Sequence, residues 1–168
     1  IDAAVAEMRR CADAGHRGIL FTGEPHRFGL PFLADRHWDP LWATAQDLAM
    51  AVERLVEDSG SEKVHVIGHS LGGLIARYYI QRMGGYEYVH TLVTLGTPHQ
   101  GTALARAGSM VPLIRQLRPD SDLIAELNEP APGCDTRFIA FHSDLDQLIL
   151  PGRNARIVHP DLRVRNVP

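Results

Sequence analysis

The sequence has 168 residues, 45% of them apolar and 22% charged, and a formal net charge of -3. That is about one domain's length with room for one continuous core, a composition near the soluble globular average, and no apolar run near the roughly 20 residues that span a bilayer. Without a block of Lys or Arg there is no electrostatic footprint for nucleic acid, and Cys11 and Cys134, far apart and outside any CxxC pattern, favour neither a zinc site nor a disulfide framework.

Residues 1–14 read as a helix, with Val5, Met8 and Ala12 at helical spacing and Gly15 as the stop. A short strand is expected over 18–22, then a long loop over 23–40, rich in Gly, Pro, His and Arg without periodicity. Leu41, Ala45, Leu48, Ala49, Val52, Leu55 and Val56 recur at three and four residues, predicting an amphipathic helix that ends at Ser59-Gly60. A β-branched run over 63–67 predicts a strand, and 71–83 a helix closed by Gly84-Gly85. Further strands are expected over 89–95, 136–142 and 162–167. Strands alternating with helices predict an α/β domain whose mostly parallel sheet is covered by helices on both faces.

Gly68-His69-Ser70-Leu71-Gly72 fits G-x-S-x-G, a weak pattern alone and a stronger one in this setting. A nucleophile elbow needs a strand before the serine, a helix after it, and glycines two residues either side, because so sharp a fold leaves no room for a Cβ there. All three are present. The turn lifts the Ser70 hydroxyl above the carboxyl edge of the sheet, and the helix start aims the Leu71 backbone N–H at a developing oxyanion. The alternative is Ser70 as an ordinary helix N-cap. His69 reads as a packing residue, since consecutive side chains at an elbow diverge.

The stretch Val66-Ile67-Gly68-His69-Ser70-Leu71-Gly72-Gly73-Leu74-Ile75-Ala76-Arg77-Tyr78-Tyr79 resembles the elbow of bacterial triacylglycerol lipases, and Leu92-Val93-Thr94-Leu95-Gly96-Thr97-Pro98-His99, followed by Gly101-Thr102, resembles their next strand and loop. The similarity runs from about residue 14 to 146. It implies an α/β-hydrolase fold, a Ser, Asp, His triad in that chain order, carboxylic-ester substrates, and a secreted or cell-envelope location. Thr97 and His99 fall where that loop borders the active site; for His99 a solvated or loop-bonding histidine is the plainer reading.

The triad acid is expected just past the strand over 136–142, where Asp144 and Asp146 compete. In similar lipases two or three residues and then a small apolar group and often Pro follow the acid, which favours Asp146; Asp144 is the fallback, or a turn-forming aspartate. A carboxylate there fixes the histidine tautomer and stabilises the imidazolium. Only His159 follows Asp146, in a His159-Pro160-Asp161 turn ahead of the last strand, whereas the resemblance places the base after that strand. The expectation is therefore an internal stretch of a hydrolase, lacking its first strand or strands and its C-terminal histidine loop.

Residues 100–133 exceed a plain crossover. Met110, Val111, Ile114 and Leu117 recur at helical spacing with Pro112 near the start, and Leu123, Ile124 and Leu127 form a second apolar face. Two readings stay open: a cap that covers the site and meets lipid transiently when open, or helices packed permanently on the core. The sequence thus points to a single catalytic domain of a serine carboxylic-ester hydrolase of lipase type, acting on lipid or short-chain esters through an acyl-Ser70 intermediate. Ser70 and Asp146 are the candidate catalytic residues and Leu71 the oxyanion donor. No metal, organic cofactor or obligate protein partner is called for. Rival readings are an acyltransferase on the same scaffold and an inactive hydrolase-fold binding domain.

Overall fold

The computed structural model describes Arg10, residues 40–106 and residues 115–168. The helix, strand and loop expected within residues 1–39 therefore lie outside the described residues. Chain order begins with α1 (Pro40–Ser59), β1 (Val64–His69), α2 (Leu71–Arg82) and β2 (Val89–Leu95), and continues with α3 (Asp122–Leu127), β3 (Arg137–Phe141) and β4 (Arg163–Val167). Short 3-10 turns cover Gly85–Glu87, Ala103–Arg106 and Gly152–Ala155.

The strands form one four-stranded sheet in the order β1-β2-β3-β4, and each neighbouring pair is parallel. Each strand's carboxyl end therefore lies along the same edge. The pleat sends Val64, Val66, Leu92, Phe138, Ala140 and Val164 to one face, where they pack with Leu48 and Val52 of α1 and with Ala76, Tyr79 and Ile80 of α2. These apolar side chains are removed from water on both sides of the contact, and each fully buried Val, Leu, Ile or Phe among them contributes roughly 1.5–3 kcal/mol. The described helices α1 and α2 share this face; the helix expected over residues 1–14 lies outside the described residues.

The predicted boundaries fall close to those observed. α1 closes where Gly60 turns to φ +63°, and Gly84, at φ +79°, follows α2 as the glycine pair there predicts. α3 packs on α2 rather than on the sheet: Leu123, Ile124 and Leu127 are buried against Leu71 and Leu74. These three residues are the second apolar face of the stretch expected as a cap or as packed helices, and in this structure that face lies on α2. The apolar stretch at Met110, Val111 and Ile114 lies outside the described residues. Cys134 is a buried free thiol beside Phe138 in the main core.

Candidate active site

Ser70 sits between the last residue of β1 and the first of α2, with φ 52° and ψ -125°. A non-glycine residue is strained there by about 1–3 kcal/mol, and such strain persists only where surrounding structure imposes it. Two bonds do so: Ser70 N–H donates to the Leu95 carbonyl at 3.0 Å, and Gly73 N–H donates to the Ser70 carbonyl at 3.1 Å. The residue is not an ordinary N-cap. Its backbone is not extended and its side chain makes no capping bond.

The glycines around it are sterically required. A Cβ on Gly68 would stand 2.6 Å from Gly73 Cα, and one on Gly73 would stand 2.9 Å from Thr97 Cβ. Leu71, the first residue of α2, buries its side chain against α3, which fixes the direction of the helix start and of its unbonded N–H groups.

Asp146 lies on the same edge. Past β3 the chain turns, with Asp146 N–H donating to the Ser143 carbonyl at 3.2 Å. Its Oδ1 accepts from Leu148 N–H at 2.8 Å and from Ile149 N–H at 3.1 Å. Its Oδ2 points toward Gly96, 3.5 Å from where a side chain on that residue would begin. Gly96 directly follows Leu95, the residue that holds Ser70. The carboxylate is half-buried, whereas Asp144 is exposed. Of the two aspartates, Asp146 is therefore the one that backbone donors orient toward the β2 end.

His159 is elsewhere. It lies in the turn that leads into the amino end of β4, with Nε2 2.8 Å from the Glu129 carbonyl and Nδ1 accepting from Asp161 N–H at 3.1 Å. Both ring nitrogens are occupied, Nδ1 within that turn and Nε2 by the Glu129 carbonyl beyond the end of α3. His69 is half-buried at the end of β1.

His99 departs from the solvated histidine considered from the sequence, because the loop after β2 folds inward. It is wholly buried, with Nε2 2.9 Å from Thr94 Oγ1, and its Nδ1 has no partner among the described residues. Burial first, and then the Arg77 charge, push its pKa well below the ordinary imidazole value, so it is neutral at pH 7.

Arg77 was legible only as part of the elbow motif, yet its guanidinium is wholly buried. It donates to Gln81 Oε1 at 2.6 Å, to the His99 carbonyl at 3.3 Å and to the Leu127 carbonyl at 2.8 Å. Burial, and secondarily Arg82, lower its pKa to about 10, which leaves it charged at neutral pH. One side chain thereby ties α2 to the loop after β2 and to the end of α3. The signal for it was present: Leu71, Leu74, Arg77 and Gln81 follow one helical stripe, so a charge there needs buried acceptors. Among the described residues no cluster of three His, Cys, Asp or Glu side chains is placed to hold a metal.

A parallel sheet with a strained serine at a strand-to-helix turn on its carboxyl edge defines an α/β-hydrolase fold, in the form that lipases and esterases share. The comparisons agree. A family model described as "Palmitoyl protein thioesterase" matches residues 29–127, and the chain belongs to that family. A triacylglycerol lipase of Pseudarthrobacter phenanthrenivorans is 37% identical over 60 residues, covering 36% of this chain and 18% of the lipase. A homoserine O-acetyltransferase of Thermus thermophilus is 39% identical over 100 residues, covering 56% of this chain and 24% of that enzyme. The crystal structure of a Bacillus licheniformis lipase in mature form superposes with a TM-score of 0.57 at 16% identity, over 75% of this chain and 64% of the lipase. The matched part of this chain thus spans less than a quarter of either curated relative's length.

Proposed function

We propose that this chain carries the nucleophile and acid of a serine hydrolase that cleaves fatty-acyl esters or thioesters. Ser70 attacks the acyl carbonyl; Leu71 N–H, at the start of α2, stabilises the tetrahedral oxyanion; Asp146 orients the histidine that takes the Ser70 proton and passes it to the departing alcohol or thiol as the ester or thioester bond breaks, leaving an acyl-enzyme. Water then releases the acid. The observation that carries the reading is the strained Ser70 backbone between β1 and α2, for which an ordinary cap has no use.

The acyl preference rests on what surrounds the acid. Leu145, Leu148 and Leu150 are exposed on the Asp146 loop, and Leu104 is exposed beside them, where Ala103 N–H donates to the Leu150 carbonyl at 2.8 Å. Apolar side chains flanking a carboxylate suit an acyl chain better than a polar substrate. The family named for a palmitoyl thioesterase and the relative named as a triacylglycerol lipase support the same class.

A second reading, transfer of the acyl group to an alcohol, is favoured by the similarity to a homoserine O-acetyltransferase. Turnover of a p-nitrophenyl acyl ester by the complete protein tests the first: Ser70→Ala is expected to lower kcat by at least about three orders of magnitude without loss of fold. A well-folded Ser70→Ala protein with unchanged turnover contradicts it. Product analysis with added alcohol separates the two readings, since a transferase yields mainly the new ester.

A further inference from the structure

The acid loop has no helix or strand of its own between residues 143 and 151, yet a triad carboxylate has to stay within a few tenths of an ångström of its place. Its shape comes from a neighbour. Thr102, buried in the loop after β2, donates its hydroxyl to the Leu148 carbonyl at 2.9 Å and accepts from Leu150 N–H at 3.0 Å. Those two groups bracket the Ile149 N–H, and the Leu148 N–H stands one peptide earlier; both N–H groups bind Asp146 Oδ1. The peptide unit after Leu148 therefore has its carbonyl on Thr102 and its Ile149 N–H on Asp146. The other end of Thr102 is fixed independently, since its N–H donates to the Leu117 carbonyl at 2.7 Å.

The loop is tied down again further on. Gln100 N–H donates to the Asn154 carbonyl at 2.8 Å, and Asn154 Nδ2 donates to the Gly101 carbonyl at 3.0 Å. These bonds involve the chain after the acid loop, not the peptides that hold the carboxylate. Among the described residues it is the Thr102 hydroxyl that binds the Leu148–Ile149 peptide, while Ala103 N–H holds the far end of the loop at the Leu150 carbonyl, 2.8 Å away.

We infer that Thr102 is the positioning residue for the Asp146 carboxylate, acting through the Leu148 and Leu150 peptides; the inference rests on the reading of Asp146 as the triad acid. Thr102→Val keeps the side-chain shape and removes both bonds to the acid loop, together with the weaker one that the hydroxyl accepts from Leu104 N–H at 3.4 Å. Without that hydroxyl the two N–H donors to Asp146 lose their fixed direction, and the carboxylate drifts from the histidine while the Ser70 elbow is untouched. Leu104, Leu148 and Leu150 move with the loop, so the effect is read on an ester whose acyl group is too short to lie along them. Displacements of this order lower rates by up to about a hundredfold.

The test is a double-mutant cycle in the complete protein, read by kcat and KM on a soluble p-nitrophenyl ester. Thr102→Val is expected to lower kcat about tenfold with KM within about twofold, and Thr102→Ser, which keeps a hydroxyl, to restore most of it. In an Asp146→Asn background Thr102→Val is expected to have no further effect. If Thr102→Val leaves kcat unchanged while Asp146→Asn disables the enzyme, or if the two losses multiply, the positioning role is wrong and Asp146 stands. If Asp146→Asn is itself fully active, the acid is assigned wrongly and the inference falls with it.

Discussion

Gly73 and Thr97 meet so closely that a Cβ on the glycine would stand 2.8 Å from Thr97 Cγ2, and this contact seats the first turn of α2 on the loop after β2. Thr97 is wholly buried and β-branched, so it has little freedom to withdraw. The clash at Gly68 is the harder to relieve, because its Cβ would meet the Gly73 backbone, with Gly73 N at 2.8 Å, whereas the Cβ on Gly73 would meet a side chain.

Gly68→Ala is therefore expected to destabilise the protein more than Gly73→Ala, each by about 1–3 kcal/mol or more from overpacking. Gly60→Ala is the control. It has open space around its missing Cβ but φ +63°, so the substitution costs only about 1–2 kcal/mol, as backbone strain. Thermal midpoints of the three variants give the order; a Gly60 variant worse than the Gly68 variant would refute the steric account of the elbow.

His99 predicts a pH dependence of stability. Its folded pKa is depressed by burial and by Arg77, so between the ordinary value of about 6.5 and the folded value the unfolded chain holds a proton that the folded protein does not. The associated stability is complete above about pH 6.5 and falls as pH drops, by up to about 1.4 kcal/mol per pH unit. His99→Gln is expected to flatten the decline in thermal midpoint between pH 7 and pH 5. An unchanged slope would mean that His99 is protonated in the fold.

Asp146→Asn is expected to lower kcat by about three to four orders of magnitude, and Asp144→Asn by less than about threefold, because only the former carboxylate is bound by the Leu148 and Ile149 N–H groups. Steady-state kinetics on a soluble ester decides the pair. Equal losses, or the reverse order, would move the acid to Asp144.

The strands and the elbow were legible because their signals are local. The run over 89–95, rich in Val, Thr and Leu, matches β2 residue for residue, and the glycines around Ser70 announce a fold too sharp for a Cβ. The burial of His99 and the partners of Arg77 were not legible, since the carbonyls that satisfy Arg77 come from residues 22 and 50 positions away. For the same reason Thr102 read only as part of a motif, though its hydroxyl reaches residues 46 and 48 positions on. Asp146 lay between these cases: the residues following it suggested its role, and the backbone bonds to Oδ1 distinguish it from Asp144.

The central claim is that Ser70 is the nucleophile, and covalent trapping tests it without assuming a substrate. The complete protein is treated with a fluorophosphonate, digested, and mapped by mass spectrometry. A single phosphonyl adduct is expected on the peptide carrying Ser70, with none on the Ser70→Ala protein and slower labelling of Asp146→Asn, since a serine hydroxyl becomes reactive toward such probes only when a base activates it. An adduct on another serine, or labelling undiminished in Ser70→Ala, would contradict the account.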